Sequence, residues 1–86
     1  MSQRRKLFYK IMLAGQDNNI RFDDVCNLLD YLGFVHRQSG TSHIVYSRDD
    51  YDGIINLQNK NGKCKAYQIA QLRKAFREVG IEDEDL

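Results

Sequence analysis

Between Gln3 and Ala14 apolar side chains recur at helical spacing. Leu7 and Ile11, then Phe8 and Met12, stand four apart and share one side of a 3.6-residue turn, so a helix is predicted from Gln3 to Ala14, stopped by Gly15. Gln16 to Ile20 reads as a polar loop. A second helix is expected from Asp23, whose carboxylate can accept a bond from a first-turn amide, and Val25, Leu28, Leu29 and Leu32 form its apolar stripe. Gly33 ends it in the left-handed conformation that glycine takes at least cost, with Phe34 placed to fold back as the hydrophobic partner.

From Phe34 the period changes to that of strands. Phe34 to Gln38, His43 to Ser47 and Ile54 to Gln58 are short runs rich in β-branched or aromatic residues. Ser39-Gly40-Thr41 divides the first two and Asp49-Asp50-Tyr51-Asp52-Gly53 the second pair, connections short enough to force antiparallel neighbours. After a basic loop, Asn59 to Lys65, a last helix from Ala66 to Val79 carries Ile69, Leu72, Phe76 and Val79 on one face, and Gly80-Ile81 repeats the glycine-apolar ending. Two amphipathic helices stabilise such a sheet by covering one of its faces, which leaves the other face and its loops for function.

A chain of 86 residues makes one domain, one that buries only about 60–65% of its unfolded surface. Two cysteines, Cys26 and Cys64, are too few for a disulfide framework and have no neighbours at metal-ligand spacing, so a reducing cytosol is expected. No apolar run approaches the roughly 20 residues of a membrane span, and Arg4-Arg5-Lys6 precedes too mixed a stretch for a signal peptide. The net charge of +1 conceals an asymmetry: Glu82, Asp83, Glu84 and Asp85 crowd the end, and without them thirteen bases face eight acids, giving +5. From Lys60 to Arg77 there are six bases and no acid, a distribution suited to a polyanion and equally to a solvated helix face. The acidic tail beyond Ile81 has little apolar surface to bury, and is expected to be disordered and dispensable for folding.

His43 stands where the Ser39-to-Ser42 turn enters the middle strand, and an imidazole there can exchange protons near neutral pH. A half-exposed polar residue at a strand start explains it as well. His36 lies in a polar His36-Arg37-Gln38 stretch and is expected to face solvent or pack against a neighbour. A Ser-His-Asp triad is not supported, since Ser42 and His43 are adjacent in a strand and point to opposite faces. Asp49, Asp50 and Asp52 are accounted for by turn chemistry and lack the spacing of a calcium loop, so no metal is expected. Lys63 and Lys65 precede the last helix, whose free amides and positive dipole end attract phosphate. Tyr67 either stacks on a base or belongs to the core.

The stretch from Phe22 to Ile81 resembles the HicA family of toxin–antitoxin ribonucleases. Leu32-Gly33-Phe34 looks like the family's helix-to-strand junction. Gly40-Thr41-Ser42-His43 followed by Tyr46 looks like its Gly-Ser-His signature, and Lys65 to Ile81 is similar to its closing helix. The resemblance divides the chain into a helical extension and loop (1–20), a HicA-like ribonuclease domain (21–81) and an acidic tail (82–86). It implies an α+β fold like the double-stranded RNA-binding domain, α-β-β-β-α with a three-stranded antiparallel sheet, to which the N-terminal helix is extra. It also implies cofactor-independent and metal-independent cleavage of messenger RNA with His43 catalytic, and Gly40, Thr41, Ser42, Lys63, Lys65 and Tyr67 on the RNA. A HicB-type antitoxin would be the protein partner, with no membrane and no direct DNA contact by the toxin alone. The rival readings are a non-catalytic RNA-binding module, in which His43 merely donates a hydrogen bond, and a pure protein-interaction domain.

Overall fold

The computed structural model describes residues 2–13, 19–39 and 43–86. Its elements follow in the order α1 (Gln3–Met12), α2 (Phe22–Tyr31), β1 (Val35–Ser39), β2 (His43–Arg48), β3 (Tyr51–Gln58) and α3 (Ala66–Val79), with a 3-10 turn at Asp83–Asp85. The protein is thus α+β, three helices with one antiparallel sheet in the order β1-β2-β3. The expected Ala14 end of α1 and the Gln16-to-Asn18 part of the loop lie outside the described residues. No described helix is long and apolar enough to cross a membrane.

Helix α1 is capped by the Ser2 hydroxyl, which accepts from the Arg5 amide at 3.1 Å. Helix α2 corrects the expected start: it begins at Phe22 after Arg21, and no side chain caps it. The Phe22 amide instead donates at 2.9 Å to the carbonyl of Gly62, and the Cys64 amide donates to the Ile20 carbonyl at 3.0 Å, so a distant loop ties down the entry to the helix. Asp23 and Asp24 fall within the first turn, where their charge opposes the positive dipole end. Both glycine endings form as expected. Gly33 and Gly80 have φ of +85° and +81°, and the Phe34 and Ile81 amides reach back to the carbonyls of Leu29 and Phe76 at 3.0 and 2.9 Å.

Alternation decides which sheet face is buried. Tyr46, Ile55 and Leu57 are buried in one cluster with the apolar faces of all three helices, whereas Val35 and Ile54, of opposite parity, are 66% and 57% exposed. Tyr46 faces Cys26 and Asp30 of α2, and α3 packs against β3, where the Asn56 amide donates to Gln71 Oε1 at 3.2 Å. Among the described residues the outer edge of β1 has no neighbouring strand. Helix α1 packs on the others: Phe8 meets Phe76 of α3 at 5.9 Å between ring centroids, and Arg73 Nε donates to the Ile11 carbonyl at 2.9 Å.

Two expectations are corrected. The second hairpin turn is only Asp49–Asp50, and β3 begins at Tyr51, not Ile54, with Arg48 paired to Tyr51. Arg48 Nε holds Asp50 Oδ1 at 2.9 Å across the turn. Gly53 serves clearance, since a Cβ there would lie 2.9 Å from the Tyr51 hydroxyl. The acidic tail is docked: Tyr9 Oη donates to Asp83 Oδ2 at 2.5 Å, Arg5 Nε donates to the Asp83 carbonyl at 3.2 Å, and Leu86 packs on the core. One tail residue, Asp83, is held by a phenol at its carboxylate and a guanidinium at its backbone carbonyl, from partners on α1 that lie 74 and 78 positions away and that local composition does not reveal.

Truncation after Ile81 is therefore expected to lower the melting temperature by several degrees, each kcal/mol of stability corresponding to about 4–8 °C in a chain this size. Tyr9→Phe, which removes one of the tail's hydrogen bonds, should give a fraction of that fall. Thermal unfolding followed by circular dichroism measures both, and an unchanged melting temperature in both variants would mean that the tail contributes nothing.

Candidate nucleic-acid interface

His43 opens β2, where it pairs with Ser39 on one side and Gln58 on the other. Its parity is that of Val45 and opposite to the buried Tyr46, so its half-buried side chain belongs to the sheet face that none of the described helices covers. The rest of that face is mixed: Val35, Arg37, Val45, Ser47 and Ile54 adjoin one shallow depression. Gly40, Thr41 and Ser42 lie outside the described residues.

His36 belongs to the opposite, helix-facing side. Its ring lies 5.3 Å from that of Tyr46, and Nδ1 is 3.5 Å from Asp30 Oδ1 of α2. His36 pairs with Tyr46 and His43 with Ser39, so the two are three rows apart, roughly 10 Å along the strands, and on different faces. No single phosphate can meet both imidazoles.

The end of the sheet that carries His43 also receives the loop from β3 into α3, since Gln58 is the last residue of β3. In that loop Lys60 and Lys63 exchange backbone bonds of 2.9 and 3.0 Å around Asn61 and Gly62, both with positive φ. Lys63 is exposed and its Nζ donates to Asn19 Oδ1 at 3.2 Å. Lys65 directly precedes α3. Its amide donates to Oε1 of the buried Gln68 at 3.2 Å, and its Nζ lies 5.9 Å from the centre of the Tyr67 ring. Tyr67 is 56% exposed, which removes it from the core and leaves a ring face for stacking. The first turn of α3 carries no acid, in contrast to α2 with Asp23 and Asp24, so no carboxylate of its own first turn meets the positive dipole end of α3.

His43, Lys63, Lys65 and Tyr67 are thus brought to one end of the molecule by the meander and the loop. Two positioning residues are not evident in the sequence. Gln68 reads as an ordinary helix residue, although Gln three positions after the residue that precedes a helix is the second half of a capping box. Asn19 meets Lys63 only through the fold.

Neither cysteine offers a nucleophile. Burial pushes the Cys64 thiol up to about 12 and raises Cys26 as well, so both stay protonated at neutral pH. Among the described residues no group of three His, Cys, Asp or Glu side chains is placed to hold a metal. The chain matches no family model, no curated protein and no solved structure.

The buried acids that stay protonated set a pH dependence of stability. Cys64 ionises at about 12 in the folded chain against an ordinary 9.0, and burial moves the Tyr46 phenol in the same direction from 10.0. A raised folded pKa stabilises fully below the unfolded value, and that stabilisation disappears as pH climbs towards the folded one. Urea unfolding should show the contribution of Cys64 to stability kept up to about pH 9 and lost from there to about pH 12. Cys64→Ala should make that fall shallower, and an identical slope would mean that the thiol is solvated.

Proposed function

We propose that this chain is a HicA-type ribonuclease, the toxin of a toxin–antitoxin pair, with the segment from α2 to α3 folded like a double-stranded RNA-binding domain. It acts in the cytoplasm on messenger RNA, without a metal, and is neutralised by a HicB-type antitoxin. The observation that carries this reading is the placement of His43 on the uncovered sheet face, at the end where Lys63, Lys65, Tyr67 and the acid-free start of α3 gather.

RNA supplies its own nucleophile. The 2′-hydroxyl attacks the adjacent phosphorus, and the bond from phosphorus to the 5′-oxygen of the next nucleotide breaks. One proton leaves the 2′-oxygen and one reaches the 5′-oxygen; His43 moves one of them and water the other. Lys63 and Lys65 hold the phosphate in place and offset the charge that gathers on its free oxygens, while Tyr67 stacks on a base. The non-catalytic rival differs in requiring only a hydrogen bond from His43.

His43→Ala is expected to lower the single-turnover cleavage rate of a labelled single-stranded RNA in EDTA by about 10²–10⁴, the usual contribution of a general acid or base. Its effect on stability should stay within about 0.5 kcal/mol. His36→Ala, on the other sheet face, should retain most activity. A folded His43→Ala protein cutting at the wild-type rate would overturn the mechanism, and RNA binding without cleavage by the unaltered protein would favour the rival.

Neutralising Lys63 and Lys65 with Gln should weaken binding of all RNA sequences alike and lower the slope of log affinity against log salt by about 0.7 for each phosphate no longer neutralised. An unchanged slope would return both lysines to ordinary surface.

A further inference from the structure

Helix α1 lies outside the segment to which the proposed function refers, and its polar side faces a groove along α2. Among the described residues, Arg4, Lys6 and Lys10 from α1 and Arg21 at the start of α2 line this groove with one carboxylate, Asp24. Among the described residues none of these four cations is in an ion pair. Arg4 lies at 3.8 Å over the ring of Tyr31, near the end of α2, an arrangement that fixes the guanidinium by its flat face and leaves its N–H groups at the rim for an acceptor. At the other end of the groove Lys10 Nζ donates to the Asn19 carbonyl at 3.3 Å. Cations therefore run along the whole groove.

Asn19 connects this groove to the end of the sheet that bears His43. Its backbone carbonyl takes Lys10, and its side-chain oxygen takes Lys63 at 3.2 Å, so two ammonium groups from opposite parts of the chain converge on one residue. Arg21 is bridged by backbone to Lys63 itself. The positive surface of the loop before α3 and that of the α1/α2 groove are one continuous strip.

Resting on the RNA reading of the preceding subsection, we infer that the α1/α2 groove binds the sugar–phosphate backbone of the same RNA strand, so that the N-terminal helix extends the path of the substrate beyond His43. An acidic protein segment fits less well. Protein partners take hold through apolar anchors in dry pockets, and of the groove's two aliphatic residues Ile20 is already 1% exposed inside the core and Leu7 is half-buried. Cations outside ion pairs, interspersed with the amides of Asn19 and Asn27, suit phosphates and ribose hydroxyls instead.

The test uses the full chain carrying His43→Ala, so that RNA stays intact, with and without Lys6→Gln, Lys10→Gln and Arg21→Gln together. Two fluorescent, unstructured RNAs serve as probes, one of about 5 nucleotides, near the lower limit of the roughly 4–16 nucleotides that a single small domain covers, and one of about 20, above that range. For the long RNA the triple variant should bind at least about tenfold more weakly at low salt, and its salt slope should fall by about 2, three phosphates at 0.7 each. For the short RNA it should be unchanged, while Lys63→Gln with Lys65→Gln weakens both probes. Equal binding of the long RNA by both proteins would overturn the inference and leave the proposed function standing. Absence of RNA binding even by the starting protein would remove both. Loss of binding to polyglutamate with RNA binding intact would also overturn it, in favour of an acidic protein partner. Circular dichroism establishes that the triple variant is folded.

Discussion

The ring of Phe76 is the centre on which the rest of this structure depends. It is fully buried in α3, 5.9 Å from Phe8 of α1 and 6.4 Å from Phe34 at the junction of α2 with β1. Three segments distant in sequence are thereby held around one aromatic side chain. Truncating such a ring to alanine costs about 3–5 kcal/mol, a large share of the roughly 4–13 kcal/mol expected of 86 residues. The Phe76 carbonyl also receives the Gly80 and Ile81 amides that turn the chain out of α3 and towards the tail. One residue therefore fixes where α1 sits, where β1 begins and where the last residues run.

From that centre the alternation of the sheet carries order outward. Once Tyr46, Ile55 and Leu57 face the helices, their neighbours in sequence must face away, and His43 is delivered to the uncovered side without any contact of its own being needed. The same parity sends His36 to the helix side beside Tyr46 and Asp30. A strand residue's face is a consequence of the hydrophobic pattern, so a functional group on this sheet is placed by residues that never touch it.

How much of the fold is legible in the sequence follows from how local each cause is. The stripes of α2 and α3, and the endings at Gly33-Phe34 and Gly80-Ile81, depend on neighbours within a turn or two, and they form as the pattern predicts. The start of α2 departs from expectation because its first amide is satisfied by Gly62, some forty residues away, and not by Asp23. Tyr51 and Gly53 have the composition of a turn, and composition cannot tell a glycine that bends the chain from one that makes room for a ring. The tail departs for a similar reason, its partners being Tyr9 and Arg5. Of the candidate interface, the residue types are legible in Lys63, Lys65, Tyr67 and His43. Their convergence, and the junction at Asn19, require the fold.

The two edges of the sheet are unlike. On β3 a side chain of α3, Gln71, accepts from one backbone amide, that of Asn56, whereas β1 is five residues long and carries exposed His36, Arg37 and Gln38. A strand laid along β1 would run next to a guanidinium and two polar side chains, a setting that discourages indiscriminate association of apolar segments at that edge.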